Sequence, residues 1–309
     1  MTRVFIDGSA GTTGLRIRER LAGRKDLELI ILPEEKRKDP AARADALNTA
    51  AVSFLCLPDA AAAEAASFVT SPDAVIIDTS TAHRVAEGWV YGMPELTGQR
   101  EKLKAAKRIA NPGCHATGFI SLIAPLAAAG LLKKSARLSA FSLTGYSGGG
   151  KKMIAEYEAE EADPLYQAPR QYALGQTHKH LPEMAKLCGL DHPPVFCPVV
   201  APYYAGMEVT VPLTPDETSA SVAEIREVYR AYYREGLIRF AEAPDENGFL
   251  SAGAFAGRDD LEVSVFGNEE RILLVSRFDN LGKGASGAAI QNMNIALGIN
   301  EDEGLVIKR

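Results

Sequence analysis

The chain has few cysteines, no long apolar run and no surplus of basic residues. Its four cysteines, Cys56, Cys114, Cys188 and Cys197, are too few and too unevenly spaced for a disulfide framework. No Cys-x-x-Cys pair occurs, which removes the usual thiolate zinc site. No apolar stretch approaches the ~18 residues of a helical membrane span. Lys and Arg number 34 against 40 Asp and Glu, a net charge of −6, the wrong sign for a nucleic-acid or anionic-membrane partner. The sequence enters a strand-like run at once, Met1-Thr2-Arg3-Val4-Phe5-Ile6, leaving no room for a signal peptide. The expectation is a cytoplasmic protein with no nucleic-acid and no membrane partner.

What is present is ordinary globular material: 309 residues, 46% hydrophobic and 24% charged, enough for about two domains. Short branched apolar runs at Thr2–Asp7, Leu27–Leu32, Ala51–Leu57, Ala74–Asp78 and Arg108–Ala110 read as buried strands. Helix-like stretches lie between them at Gly11–Ala22, Ala41–Ala50 and Ala60–Val69. That alternation predicts an α/β, Rossmann-like doubly wound parallel sheet.

The first strand runs into Gly8-Ser9-Ala10-Gly11-Thr12-Thr13-Gly14. Glycines there permit a tight turn and a close approach to a pyrophosphate, and the next helix offers its first amides to that charge. After the second strand come Glu34, Glu35, Lys36, Arg37 and Lys38. Glu34 is placed to bind an NAD ribose, and Lys36, Arg37 and Lys38 to accept a 2′-phosphate; the surplus of cations favours NADP.

Asn111-Pro112-Gly113-Cys114 forms a sharp turn before an apolar run, so Cys114 should lie in the first turn of a buried helix. The positive helix end and its free amides favour a thiolate and could steady an oxyanion. A cysteine in a turn is more often structural, but a dinucleotide domain just before it points to a nucleophile. Cys56, in an apolar run, reads as a small buried hydrophobe, and Cys188 and Cys197 as similarly structural. A proton-managing group must accompany the thiolate. His115 is adjacent to Cys114 and should point away from it. His83 and His192 read as ordinary surface residues in polar turns. His178 and His180 are the better candidates, sharing one face if their segment is extended, with Lys179 opposite. No third ligand completes a metal spacing, so no metal is expected. Pro182 and Glu183 fit the first turn of a helix, where Glu183 could favour the dipole or orient a histidine.

Several segments together carry a family resemblance: Gly8–Gly14; Asp78-Thr79-Ser80-Thr81-Ala82-His83-Arg84 with Tyr91-Gly92-Met93-Pro94-Glu95; Asn111–Cys114; Gly145-Tyr146-Ser147-Gly148-Gly149-Gly150-Lys151; His178–Glu183; and Phe278–Gly287. In these the chain resembles the shorter form of the N-acetyl-gamma-glutamyl-phosphate reductases, enzymes of arginine biosynthesis. The resemblance implies NADP(H) as cofactor, a small anionic acyl-phosphate substrate and reduction to a semialdehyde with phosphate release. Cys114 would form a thioester that is reduced to a thiohemiacetal and collapses to the aldehyde. His180 would be the acid/base and His178 an oxyanion or substrate contact. Gly8, Ser9, Gly11, Thr12, Thr13, Gly14 and Arg37 would hold the cofactor, with Ser80, Ser147, Gly148 and Asn280 lining its cleft. Arg84 and Lys179 suit substrate carboxylate or phosphate by charge. Departures are Ala10-Gly11-Thr12-Thr13 in the glycine loop, His115-Ala116-Thr117 where many members have Tyr-Pro-Thr, and Lys179 for a commoner Arg.

By the same resemblance the C-terminal helix returns to the first domain. The expected division is 1–113 with 284–309 for the cofactor and 114–283 for substrate and oligomerisation. The second domain is read as α+β with a mostly antiparallel sheet of Arg137–Thr144, Val195–Val200, Gly206–Leu213, Leu261–Phe266 and Arg271–Phe278, and a helix at Val222–Tyr233. A homodimer or homotetramer follows by analogy. Neighbouring readings are aspartate-semialdehyde dehydrogenase and a reductase of carrier-bound aminoadipyl phosphate. The reading from a different class is a non-catalytic dinucleotide-binding protein with Cys114 merely buried.

Overall fold

The computed structural model describes residues 1–308. The chain divides into two compact units: Met1–Pro112 with Ala285–Leu305, and Gly113–Gly284 with residues 306–308. Among the described residues no helix is long and apolar enough to cross a membrane.

The first unit is built on β1 (Thr2–Asp7), α1 (Thr12–Leu21), β2 (Leu27–Ile30), α2 (Pro40–Thr49), β3 (Val52–Leu55), α3 (Asp59–Ser67), β4 (Val75–Asp78), β5 (Val90–Tyr91), α4 (Gln99–Ala105) and β6 (Arg108–Ala110). Its six strands pair in parallel in the order β2-β1-β3-β4-β6-β5. Both faces are buried, so strand alternation distributes apolar side chains to two cores. Val4, Ile6, Phe54 and Ile77 pack with Ile17, Leu21, Ile290 and Met293, the last two from the helix Gly287–Ala296. Phe5, Leu55 and Ile76 pack on the other side with Ala46, Leu47, Ala62 and Ala65 of α2 and α3. Pro40 opens α2, and the Asp39 carboxylate accepts the amides of Ala41 and Ala42 at 2.8 and 3.3 Å, which fixes where that helix begins. Two elements were not expected. β5 is two residues long, too short to show a period, and α4 buries only Leu103.

The second unit contains α5 (Cys114–Ala128), β7 (Ser139–Gly145), α6 (Gly150–Tyr157), β8 (Arg170–Gln171), α7 (Leu181–Cys188), β9 (Val195–Ala201), β10 (Met207–Leu213), α8 (Val222–Tyr232), β11 (Ile238–Phe240), β12 (Leu261–Asn268) and β13 (Arg271–Phe278). The sheet order is β11-β12-β13-β10-β7-β9-β8. Pairing is antiparallel except at β11–β12 and β7–β9, so the mostly antiparallel sheet is present but mixed. On β10 the alternation is strict: Met207, Val209 and Val211 are buried, while Glu208, Thr210 and Pro212 are partly open. Phe141, Val195 and Leu273 lie exposed on that same open face.

The long helix α5 carries Pro125 in its interior. A proline has no N–H, so the carbonyl four residues earlier loses its helical donor. That carbonyl belongs to Ser121, and the Tyr233 hydroxyl donates to it at 2.6 Å. Tyr229 of α8 donates likewise to the Leu122 carbonyl at 2.6 Å. Tyr233 replaces the missing backbone bond, and the two tyrosines together fix α8 to α5. Tyr233→Phe keeps the ring and removes the donor, leaving a buried carbonyl unsatisfied. It should lower stability by about 1–3 kcal/mol, read as a fall in the urea midpoint with an unchanged slope.

Candidate active site

The glycine loop joins β1 to α1 at the point where strand order reverses between β1 and β3. Gly8 has φ +85, and a Cβ there would collide with the Cys56 carbonyl of the neighbouring strand end. Gly11 caps α1 without any side-chain hydrogen bond, so the first amides of that helix keep no side-chain acceptor. Thr12 Oγ1 is buried there with no hydrogen-bond partner. An uncapped helix start beside an unsatisfied hydroxyl fits a bound phosphate oxygen.

A cleft of about 220 Å³ opens beside this loop, lined by Asp7, Gly8, Ser9, Arg18, Arg37 and Lys38 among polar and small residues, with Leu29–Leu32 as an apolar wall. Arg37 and Lys38 reach it, whereas Glu34, the NAD-type candidate, does not line it. Arg18 joins them from α1, about one helical turn after Gly14. Asp7 is buried under the loop and held by Arg43 at 3.0 Å; burial raises its carboxyl above the ordinary value despite that partner. Ser80 is occupied locally, its hydroxyl donating to Asp78 at 2.7 Å. Arg84 donates to the carbonyls of Asn111 and Thr79 at 3.0 and 3.2 Å. His83 corrects the expectation of an ordinary surface residue. Its Nδ1 lies 2.6 Å from the buried Asp78 carboxylate, and its ring stacks on Trp89 at 3.9 Å.

In the second unit, Cys114 is the first residue of α5 and Gly113 its cap, again with no side-chain hydrogen bond at the cap. Glu183, almost fully buried on α7, accepts the Gly113 amide at 3.2 Å. The geometry gives Glu183 a role outside the two expected ones, an anchor for the turn that carries Cys114. On its other side Cys114 meets the Gly282–Ser286 turn, where a Cβ on Gly284 would sit 3.0 Å from the cysteine Cβ. Asp279 braces this turn by accepting the amides of Leu281 and Gly282 at 2.7 and 3.1 Å. Asn280 donates to Ser147 Oγ at 2.9 Å and accepts the Gly206 amide at 2.9 Å, with the exposed Gly148 adjacent.

His178 and His180 come together, though their segment is a turn and not extended. Their rings meet edge to face at 4.6 Å, and the His180 amide donates to His178 Nδ1 at 3.2 Å. His180 is buried and Lys179 exposed. His115 is not turned away from the cluster. Its ring lies 5.5 Å from His178 and 5.6 Å from His180, with Nδ1 2.7 Å from Ser142 Oγ and Nε2 2.6 Å from the Tyr172 hydroxyl. Burial, then the neighbouring His178, depress its pKa to about 3. Tyr172 and Ser142 carry no sequence signal: one follows a two-residue strand, the other sits mid-strand on β7. Among the other thiols, burial pushes Cys56 up to about 12 and also raises Cys188, so both are inert. Among the described residues no group of three or more His, Cys, Asp or Glu could hold a metal ion.

The semialdehyde dehydrogenase NAD-binding domain family matches residues 3–106, and the semialdehyde dehydrogenase dimerisation domain family residues 114–280. The chain is 44% identical to N-acetyl-gamma-glutamyl-phosphate reductase 2 of Nostoc sp., covering 98% of this chain and 99% of that one. It is 46% identical to N-acetyl-gamma-glutamyl-phosphate reductase of Brucella suis, covering 96% and 99%. The chain belongs to the N-acetyl-gamma-glutamyl-phosphate reductases. Its fold also matches an aspartate semialdehyde dehydrogenase of Vibrio cholerae with a TM-score of 0.73 at 18% identity, covering 96% of this chain and 98% of that one. The NADP-bound enzyme of Candida albicans matches with a TM-score of 0.67 at 15% identity and the same coverage. Family membership removes the non-catalytic reading, and the fold matches alone do not favour the aspartate enzyme.

The depressed His115 pKa has a definite consequence for stability. Unfolded, the ring takes a proton near its ordinary value of 6.5; folded, it refuses one until about 3. The unfolded state therefore binds more protons in that window, so the contribution of neutral His115 is complete above 6.5 and is lost as pH falls toward 3. Its ring resonances should stay fixed from about pH 8 to pH 5, where an ordinary histidine titrates.

Proposed function

We propose that this reductase uses NADPH to convert N-acetyl-γ-glutamyl phosphate to N-acetylglutamate 5-semialdehyde with release of phosphate, as a step of cytoplasmic arginine biosynthesis. The observation that carries the reading is Cys114 at the uncapped start of α5, in the same unit as the paired His178 and His180. The names of the Nostoc and Brucella relatives supply the substrate.

Gly8, Ser9, Gly11, Thr12, Thr13 and Gly14 would hold the pyrophosphate, and Arg37 and Lys38 with Arg18 the 2′-phosphate; Ser80, Ser147, Gly148 and Asn280 would line the remaining cofactor surface. When bound, the cofactor supplies the hydride that takes the acyl group to the aldehyde level. Cys114 sulfur attacks the acyl carbon, the C–S bond forms and the bond to the phosphate oxygen breaks, leaving a thioester and free phosphate. Amides at the start of α5 would take up the charge that develops on the acyl oxygen. His180 exchanges the proton at that oxygen, and His178 is fixed beside it by the His180 amide. Arg84 and Lys179 are the cations for the substrate's carboxylate or phosphate.

The exposed Phe141, Val195 and Leu273 on the open sheet face, in the part matching a dimerisation domain, support a homo-oligomer, either a dimer or a tetramer.

Cys114→Ser should abolish turnover while NADPH still binds, measured by the NADPH-linked assay and by cofactor titration. A Cys114→Ser rate equal to wild type excludes the thioester. In the same assay, preference for aspartyl phosphate over N-acetylglutamyl phosphate would overturn the substrate assignment. Arg37→Ala and Lys38→Ala should each weaken NADPH at least about tenfold and leave NADH unchanged, because only the phosphate contact is lost.

A further inference from the structure

Residues 241–260 join β11 to β12 without helix or strand, a long connection for a compact unit. Between Ala243 and Gly257 only Phe255 is buried, so apolar packing contributes little to its placement. The stretch Pro244–Ser251 is held to the sheet by one guanidinium. Arg277, buried on β13, donates to the Glu246 carboxylate at 2.7 Å and to the Pro244 carbonyl at 3.2 Å. The other Glu246 oxygen takes the Ser251 amide at 3.0 Å, which closes the stretch on itself. Glu262 of β12, also buried, accepts from the same guanidinium at 3.0 Å and fixes it from the sheet side. Phe255 ties this stretch to the rest of the loop: its ring lies against the Arg258 guanidinium at 4.0 Å, with that of Arg277 at 5.8 Å.

The far end of the loop rests on the turn beside Cys114. The Gly257 amide donates to Asp279 Oδ2 at 2.5 Å, while Oδ1 of that fully buried carboxylate accepts the amides of Leu281 and Gly282. Gly282 packs so closely on the Arg258 carbonyl that a Cβ there would lie 1.9 Å from it. The Asp279 carbonyl accepts the Gly284 amide at 3.0 Å, and a Cβ on Gly284 would meet the Cys114 Cβ at 3.0 Å. Arg277 and Asp279 are two positions apart. The end of β13 thus grips the loop with one residue and the turn with the other.

We propose that Arg277 is a positioning residue for the nucleophile, and that the 241–260 loop is the strap through which it acts. With the Arg277–Glu246 pair closed, the strap holds Gly257 and Arg258 against Asp279 and Gly282, and the wall facing Cys114 keeps its shape. With that pair open, the Gly257 amide leaves Asp279 and Gly284 can shift against the cysteine. A small displacement of a nucleophile is enough to slow a reaction that depends on close alignment. The inference rests on Cys114 being the nucleophile. Glu246 is the point at which the strap can be released on its own: its side chain is 45% exposed, against 5% for Arg277. Removing it leaves the buried Arg277 charge paired with Glu262.

The experiment is amide hydrogen exchange of the full chain, read by peptide mass, beside steady-state kinetics. Glu246→Ala should speed exchange in 241–260, speed it also at 281–284, and lower kcat about tenfold. NADPH affinity should not change, because the glycine loop belongs to the other unit. Arg277→Lys keeps a charge for Glu262 but cannot span the same partners with one ammonium, and should act in the same direction. If that buried variant fails to fold, Glu246→Ala alone decides. All three changes are required of it, and any one missing overturns the inference. A role confined to the loop, for example, would speed exchange there and leave 281–284 and kcat at wild type. Exchange in β9, on the other side of the sheet, should stay at the wild-type rate; faster exchange there would mean general loosening and also overturns it. If Cys114→Ser retains wild-type turnover, the nucleophile reading falls and takes the positioning role with it, whatever the exchange shows.

Discussion

The second unit is organised around the first turn of α5. Cys114 can stand there only because two neighbours come very close to it. Gly284 has no Cβ to strike the cysteine, and Glu183 reaches across from α7 to take the Gly113 amide. A helix start leaves amides without partners. Here one of them is given to a buried carboxylate, which holds the turn that carries the thiol. The Asp279 carboxylate serves the opposite wall, binding two successive amides so that the Gly282–Ser286 turn keeps its shape.

The walls around this thiol hold the buried charged side chains of Glu183, Asp279 and Lys283, but its nearest aromatic neighbours are uncharged. His115 is held neutral, and Tyr172 is held protonated by burial and by the thiol's own charge. Burying an ionised imidazole beside other imidazoles would cost far more than a neutral one with both nitrogens satisfied by hydroxyls. His115, held neutral, therefore adds no positive charge of its own beside the thiol. In the first unit the solution is the reverse. There Arg18, Arg37 and Lys38 gather around one cleft, so a chain of net charge −6 concentrates positive charge where an anionic ligand would enter.

The same logic of close approach explains the glycine loop. Gly8 is required by its positive φ and by the Cys56 carbonyl, whatever the loop binds. On the proposed reading, phosphate recognition rests instead on what the loop leaves unsatisfied, the amides at the start of α1 and the hydroxyl of Thr12. Structural and functional demands thus fall on different residues of one short motif.

Much of this was legible in the chain itself. The parallel sheet could be read because both faces are buried, so its strands appear as short continuous apolar runs; β5 and α4 could not, because one is too short and the other too polar to show a period. Cys114 could be placed at a helix start from Pro112, Gly113 and the apolar run after them, since turn chemistry is local. His178 and His180 could be paired by spacing, though a turn rather than an extended strand brings them together. What local order could not reveal was any contact closed by distant segments. His115 was set aside because neighbours on a helix diverge, yet Ser142 from β7 and Tyr172 beyond β8 draw it into the cluster. His83 likewise looked like a surface residue until Asp78 and Trp89 enclosed it. The sequence by itself determined most of the elements, the place of Cys114 at a helix start and the glycine turn after β1, because each depends on residues a few positions apart. Only the tertiary structure decided which polar groups share a site and which remain neutral, because burial and hydrogen-bond partners are supplied by chain segments far apart in sequence.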